Sequence, residues 1–166
     1  MKRAIDRDPV HDIEIEAAFT QNMSWLHRRL ALMVGDHDLA WDIAQETFLR
    51  ATDNWPIGGR DDLAKWLVTV GTRLCIDEIR RRKRWGFLPL SETSATWALE
   101  RDPDLWHAIC GLDAVTRGAL LMTVLEGYTQ EEVAGILGVS RGTLASRLSR
   151  ARGRLREAIG ERQYGH

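Results

Sequence analysis

Apolar residues recur every three or four positions over most of the chain, which is the spacing of an amphipathic α-helix. The first such stretch runs from Asp12 to Val34 and is interrupted by Gly35 and Asp36. A second stretch, Leu39 to Ala51, has one apolar and one polar face, and Asp38 stands where the N-cap of this helix is expected. No stretch alternates between apolar and polar residues as a strand does, so the sequence predicts an all-α protein.

Two segments lack helical periodicity and divide the chain. Pro56, Gly58 and Gly59 predict a loop over residues 54–60, because proline and glycine together disfavour helix and strand alike. A third helix is predicted to resume at about Asp62. Its apolar stripe consists of Leu63, Leu67, Val70 and Leu74. The periodicity is lost again over residues 85–104, so we predict two small helical domains, 1–84 and 105–166, joined by a flexible linker.

The second domain contains the pattern of a helix-turn-helix. The apolar spacing over residues 105–126 predicts two helical pieces before the helix-turn-helix, and Gly127 ends the second of them. Thr129 is a good N-cap for the next helix, Gly138 ends that helix, and Ser140 can cap the last one. The buried stripe of the last helix is predicted to be Leu144, Leu148, Leu155 and Ile159. Its other faces are rich in arginine, which suits a helix in the major groove of DNA; a basic, solubilising helix at the end of a bundle is the weaker alternative.

The formal net charge of −1 conceals an alternation of acidic and basic segments. Residues 1–53 carry 6 basic and 10 acidic side chains, and residues 54–84 carry 8 and 4. Residues 85–138 carry 2 basic and 8 acidic side chains, and residues 139–166 carry 7 basic and 2 acidic side chains. An acidic segment followed by a basic one therefore occurs twice, as expected of two modules that each bind a phosphate backbone. A solvated surface with chance blocks of charge explains these totals equally well.

Little in the sequence points to catalysis, a metal or a membrane. Cys75 and Cys110 have no close-spaced partner, and the five histidines lack ligand spacing, so neither a metal nor a cofactor is predicted. There is no Ser, His and Asp set, no paired carboxylates and no glycine-rich phosphate loop, so an enzyme is not expected. Without a signal peptide or a spanning segment, we expect no membrane insertion and a cytoplasmic location.

Two motifs of the first predicted domain are Ile43 to Ala51 (IAQETFLRA) and Trp66-Leu67 with Leu74 to Arg82 (LCIDEIRRR). They resemble the second conserved region, and the helix after it, of a bacterial family, the extracytoplasmic-function sigma factors of the sigma-70 family. Glu126 to Ala134 (EGYTQEEVA) and Leu137 to Arg152 resemble the domain that reads the promoter. The resemblance implies a two-domain subunit that binds core RNA polymerase and promoter DNA and directs transcription initiation, with a cognate anti-sigma factor as a further partner.

The resemblance also implies roles for particular side chains. The residues that would dock on the clamp helices of the polymerase's largest subunit are Asp42, Gln45, Glu46, Leu49 and Arg50. Those that would hold the −10 element are Trp55, Arg60, Lys65, Arg73, Arg80, Arg81, Arg82, Lys83 and Arg84. Those that would read the −35 element are Arg141, Thr143, Ser146, Arg147, Ser149 and Arg150. The plain alternatives are a solvated helix face for the first set, a polar helix end for the arginine cluster, a loop anchor for Trp55 and a surface role for Arg147.

Two other functions compete with the sigma-factor interpretation. One is a sigma-like decoy that binds an anti-sigma factor without initiating transcription. The intact arginine clusters count against it, because a decoy has no need to hold phosphates. The other is an ordinary repressor or activator that uses only the C-terminal domain. That function leaves the helix with Gln45 and Glu46 unexplained, as well as the cluster at residues 80–84.

Overall fold

The structure of the protein is a computed structural model that describes residues 9–86 and 103–160. All regular elements in these two ranges are α-helices, which confirms the predicted fold class. The first range forms α1 (Pro9–Val34), α2 (His37–Asp53) and α3 (Arg60–Arg84), here termed the N-terminal bundle. The second range forms the C-terminal bundle of α4 (Pro103–Cys110), α5 (Ala114–Val124), α6 (Gln130–Leu137) and α7 (Arg141–Gly160). Most of the predicted linker lies outside the described residues, and the domain boundaries stay a prediction.

The N-terminal bundle forms because the apolar stripes of its three helices face one another. Leu26 and Leu30 of α1, Ala44 of α2 and Leu67 of α3 are completely buried. Burying a leucine side chain stabilises a fold by about 1.5–3 kcal/mol, so these contacts supply much of the bundle's stability. None of the helices in the described ranges is long and apolar enough to cross a membrane.

The N-cap of α2 is Asp36, and the prediction of Asp38 was wrong. Asp36 has extended backbone angles, and its Oδ1 accepts a hydrogen bond from the backbone N–H of Leu39 at 3.0 Å. Asp38 lies in the first turn, where its negative charge suits the positive end of the helix. The sequence suggested that Asp36 only interrupts the preceding helix, whereas it also starts the next one.

Helix α3 is covered on two sides, although the sequence predicts one apolar stripe. Leu63 and Leu67 of that stripe are buried, while Val70 and Leu74 are half-buried. Val68 lies off the stripe and is nevertheless buried, because it packs into the apolar cluster of the C-terminal bundle. A second bundle therefore rests on α3, which a single helical period does not reveal.

The two bundles meet where α5 lies against α1 and α3. A Cβ atom at Gly118 would lie 3.0 Å from Cγ2 of Thr72 and 3.3 Å from Cε of Met33, so the backbones approach closely here. Nearby, Arg29 of α1 pairs with Glu126, with 2.5 Å between Nε and Oε1. The bundles are thus joined by close packing and by an ion pair in which the arginine is buried.

Candidate nucleic-acid interface

The helix-turn-helix begins at Thr129 with a reciprocal pair of hydrogen bonds. The Thr129 hydroxyl accepts from the backbone N–H of Glu132 at 3.2 Å, and the Glu132 carboxylate accepts from the backbone N–H of Thr129 at 2.8 Å. The hydrogen bonds that Thr129 donates, its backbone N–H first, lower the pKa of Glu132. Thr129 is therefore the N-cap of α6, as the sequence predicts.

The turn between α6 and α7 depends on Gly138 and Ser140. Gly138 ends α6 with φ 66° and ψ 34°, the left-handed conformation that glycine adopts most readily. The Ser140 hydroxyl then accepts a hydrogen bond from the backbone N–H of Thr143 at 3.2 Å and so caps α7. Leu144 and Leu148 anchor α7 in the core with no exposed surface. The predicted helix, turn and helix are all present.

The outer face of α7 brings together the residues that the sequence assigns to the −35 element. The exposed members are Arg141, Thr143, Ser146, Ser149 and Arg150. Arg147 is different, because it is half-buried and its Nη1 lies 3.2 Å from Oδ1 of Asp113. Burial acts to raise the pKa of Asp113, but hydrogen bonds from Thr116 and the charge of Arg147 lower it by more. Arg147 thus helps to hold α7 against the turn before α5.

The five cations at the end of α3 differ in their surroundings. Arg81 and Arg82 both pair with Glu78. The distance is 2.7 Å from Nε of Arg81 to Oε2 and 3.0 Å from Nε of Arg82 to Oε1. These hydrogen bonds, the one from Arg81 first, lower the pKa of Glu78. The other three cations are exposed and have no acidic partner within the described residues. They are Arg80, Lys83 and Arg84.

The remaining residues assigned to the −10 element occupy several environments. Trp55 packs on the N-terminal core, and its indole N–H lies 3.4 Å from Oε2 of Glu14, which favours the loop-anchoring role. Lys65 is exposed. Arg73 donates from Nε to the backbone oxygen of Ile136 in α6 at 3.0 Å, a partner that the sequence did not predict. The side chain of Arg60 lies outside the described residues.

The polar face of α2 is open to solvent. All five residues assigned to polymerase binding are exposed: Asp42, Gln45, Glu46, Leu49 and Arg50. Glu46 and Arg50 form an ion pair of 2.8 Å, and Leu49 is 61% exposed. The same helix also exposes Trp41 to 41%. An exposed leucine and tryptophan among acidic side chains give α2 a surface that suits contact with another protein.

The polar residues between the bundles were missed by sequence reasoning. Arg29 and Arg117 are only 4% and 5% exposed. Arginine is mostly exposed in proteins and is almost never fully buried unless it is paired. No local spacing marks these residues, because their partners Glu126 and Met33 are distant in the sequence.

Among the described residues, no group of three or more His, Cys, Asp or Glu side chains is arranged to hold a metal ion.

Comparisons with known proteins cover both bundles. Residues 18–85 match the family model for sigma-70 region 2, and residues 104–155 match the model for sigma-70 region 4. The chain is 30% identical over 168 residues to the RNA polymerase sigma factor CarQ of Myxococcus xanthus, with 93% of this chain and 94% of that protein covered. It is also 30% identical over 155 residues to the ECF RNA polymerase sigma factor SigE of Mycolicibacterium smegmatis, covering 84% of this chain. That alignment spans only 59% of the SigE chain.

A solved structure has the same fold over most of its length. The sigma factor RpoE from Bartonella quintana, in complex with the anti-sigma factor NepR, matches with a TM-score of 0.65 and 26% sequence identity. The match covers 89% of this chain and 97% of that chain, so it includes both bundles.

Proposed function

Since this chain belongs to the extracytoplasmic-function sigma factors of the sigma-70 family, we propose that it binds core RNA polymerase and directs initiation at promoters with −10 and −35 elements. The observation that carries the proposal is the presence of two separate basic surfaces, the outer face of α7 and the end of α3. A protein that reads one DNA element needs only one of them. The polymerase supplies the chemistry of RNA synthesis, and we place the process in the cytoplasm.

Helix α7 is proposed to lie in the major groove of the −35 element. Arg141 and Thr143 are in its first turn, from which short polar or arginine side chains reach base edges. Ser149 and Arg150 lie farther along, where contacts to phosphates are expected. Arg147 is proposed to position the helix through Asp113, because its guanidinium group is already paired there.

The end of α3 is proposed to hold phosphates near the −10 element. The cations best suited to this are Arg80, Lys83 and Arg84, because no acidic side chain in the described residues neutralises them. Arg81 and Arg82 must give up part of their interaction with Glu78 before they can bind DNA equally well. We therefore expect them to contribute less.

The exposed face of α2 is proposed to dock on core polymerase. Leu49 would supply buried apolar contact, and Asp42 and Glu46 would supply complementary charge. A cognate anti-sigma factor is proposed as a second protein partner. Support for this partner comes from the similar RpoE chain, which was solved in complex with the anti-sigma factor NepR.

The test is run-off transcription with purified core RNA polymerase on a library of promoter fragments. Two double variants remove the same charge from α3: Arg80→Ala with Arg84→Ala, and Arg81→Ala with Arg82→Ala. The wild type is expected to give specific start sites. The first variant is expected to lose roughly tenfold or more of this activity, and the second less, because each lost phosphate contact weakens binding.

The proposal fails if the wild type neither binds core polymerase nor directs any start. Capture of an anti-sigma factor by such a chain would then favour the decoy. Equal losses in the two double variants would contradict the assignment of Arg80 and Arg84 to phosphate binding, while leaving the initiation role intact.

A further inference from the structure

We infer that Trp85, at the end of α3, stacks on an unpaired base of the melted promoter strand, while the cations beside it hold phosphates of the same strand. The inference rests on the proposed function and deepens it, because it adds a contact to a base at an end of α3 where only contacts to phosphates have been assigned. Trp85 lies beyond the motif Leu74 to Arg82, at which the resemblance noted in this part of the sequence ends.

Trp85 is exposed to an unusual degree for a tryptophan. It is 74% exposed, more than any other large hydrophobic residue in the described ranges, whereas Trp106 is only 2% exposed. Its indole makes no hydrogen bond or ring contact with another described residue. Tryptophan is highly buried on average, and it is frequent where a partner covers an exposed surface. The indole of Trp85 is therefore a surface available to a partner.

The backbone fixes the place at which this indole is presented. The N–H of Trp85 donates to the backbone oxygen of Arg81 at 3.2 Å, and the N–H of Gly86 donates to that of Lys83 at 3.4 Å. Gly86 then leaves the helix with φ 68°, in the left-handed region that glycine adopts readily. An aromatic side chain has few rotatable bonds, so on a fixed backbone it loses little conformational freedom when it binds.

The surroundings of Trp85 are strongly basic. The five residues before it are all cations, and three of them have no acidic partner within the described residues. Arg84 is adjacent to Trp85, and Arg81 lies one turn earlier on the same face of the helix. Sites for single-stranded nucleic acid combine cations that follow the backbone with aromatic side chains on which bases stack. The end of α3 has both parts of such a site.

The dimensions of this helix end fit a short stretch of one DNA strand. From Arg80 to Trp85 the helix advances by roughly 7.5 Å, at 1.5 Å per residue. One strand of B-form DNA has a phosphate about every 3.4 Å along the axis, so the span corresponds to about two nucleotides. A base can stack on the indole only after it has left the duplex. The contact therefore belongs to the melted promoter.

Charge favours DNA over a protein as the partner of Trp85. The central parts of protein interfaces contain tryptophan but are depleted of charged residues. Here the tryptophan directly follows a run of cations, Arg80 to Arg84, and this run continues the surface that is proposed to hold phosphates. A polyanion complements both the unneutralised charge and the aromatic ring.

Binding of promoter fragments by the complex of this chain with core polymerase tests the contact. One labelled fragment is a duplex with the −35 element alone, and the other has a mismatched, permanently open −10 segment; both come from a promoter found in the run-off library. Trp85→Ala should weaken binding to the open fragment by roughly fivefold to a hundredfold and leave binding to the duplex unchanged. Trp85→Phe keeps an aromatic face and should lose less than Trp85→Leu, which is apolar but cannot stack.

A second measurement identifies the base. In a series of open fragments, each nucleotide of the open segment in turn lacks its base. At one position, the missing base and Trp85→Ala together should weaken binding no more than either change alone, because both remove the same contact. At every other position the two effects on the binding free energy should add.

Two controls accompany these measurements. Ile13→Ala removes apolar surface from a residue of α1 that is 66% exposed, and it should leave the affinity for every fragment unchanged. Circular dichroism should show the same melting temperature for the wild type and all Trp85 variants, because an indole that is largely in water contributes little to the fold.

The outcomes separate this inference from the proposed function. If the wild type yields no promoter in the run-off library, the proposed function fails and the inference falls with it. If the wild type binds both fragments and Trp85→Ala binds them equally well, or if the effects add at every position, the stacking contact is overturned and the initiation role stands. Weaker binding of core polymerase itself by Trp85→Ala would also overturn it, since Trp85 would then contact protein.

Discussion

The guanidinium group of Arg117 donates from Nη1 to the backbone oxygen of Met33 at 2.6 Å, across 84 positions of the sequence. Its Nη2 also donates to the carbonyl oxygens of Cys110 and Leu112, at 2.5 Å and 3.1 Å. One side chain therefore fixes the turn between α4 and α5 and joins that turn to α1. Burial lowers the pKa of Arg117, but an arginine stays protonated at neutral pH.

The first prediction concerns the stability that this arginine provides. Arg117→Met keeps most of the buried volume but leaves three carbonyl oxygens without their donor. We expect the free energy of unfolding to fall by about 2–4 kcal/mol, measured by urea denaturation. Arg154→Met, on the exposed face of α7, is the control and should change it by less than about 0.5 kcal/mol. Equal midpoints for the two variants would contradict the role of Arg117.

The second prediction compares two glycines of the helix-turn-helix. Gly138→Ala should destabilise the fold by about 1–2 kcal/mol, because its φ of 66° is unfavourable for an L-residue with a side chain. Gly153→Ala should stabilise it by about 0.5–1 kcal/mol, because this glycine is inside α7 and an added Cβ has no neighbour within 4 Å. The melting temperatures of the two variants should therefore shift in opposite directions from that of the wild type, downward for Gly138→Ala and upward for Gly153→Ala. Shifts of the same sign would refute this explanation.

The third prediction concerns Cys75. Burial raises the pKa of its thiol from 9.0 to about 12, by more than the charges of Arg29 and Arg117 lower it. Only the thiolate reacts readily with alkylating reagents. In a Cys110→Ser variant, Cys75 should therefore stay unlabelled by iodoacetamide at pH 8 in the native protein and react fully in urea. Rapid labelling of the native variant would show that the thiol is accessible.

The same shift in pKa gives a pH dependence of stability. Between pH 9 and pH 12 the folded chain keeps the Cys75 proton while the unfolded chain loses it. Stability from the protonated thiol is thus fully present below pH 9 and is lost as the pH rises toward 12, by at most about 1.4 kcal/mol per pH unit. Cys75→Ala should unfold with a shallower dependence on pH in this range.

In the helix-turn-helix, sequence reasoning succeeded because the structure there depends on neighbours along the chain. Thr129, Gly138 and Ser140 end or begin helices through bonds to residues three or four positions away, so their roles are readable from spacing. The contact between the bundles is different. Arg29 and Glu126 are 97 positions apart, and each has the polarity of a surface residue. Periodicity predicts which face of a helix is buried but not which helix covers it.

The cation cluster of the candidate site shows that a local signal can also be missed. The run Arg80 to Arg84 suggests five equivalent cations, yet Glu78 pairs with Arg81 and Arg82 at the i+3 and i+4 positions. That spacing is visible in the sequence and is a signal that was overlooked. The hydrogen bond from Arg73 to Ile136 has no such signal, because it depends on how the two bundles pack.

The last prediction tests the polymerase-binding face through an exposed leucine. Leu49 is 61% exposed on α2, so Leu49→Ala should change the free energy of unfolding by less than about 0.5 kcal/mol. If Leu49 is buried on docking, the same variant should bind core polymerase roughly tenfold more weakly. Fluorescence anisotropy of labelled protein titrated with core polymerase measures the affinity.

Ile13→Ala is a matched control, because Ile13 on α1 is also a branched aliphatic residue and is 66% exposed. It removes apolar surface of a similar kind outside the proposed face. Weaker binding by Leu49→Ala alone supports docking through α2, since general loss of exposed apolar area would affect both variants. Unchanged binding by Leu49→Ala would place the polymerase contact on another surface of the chain.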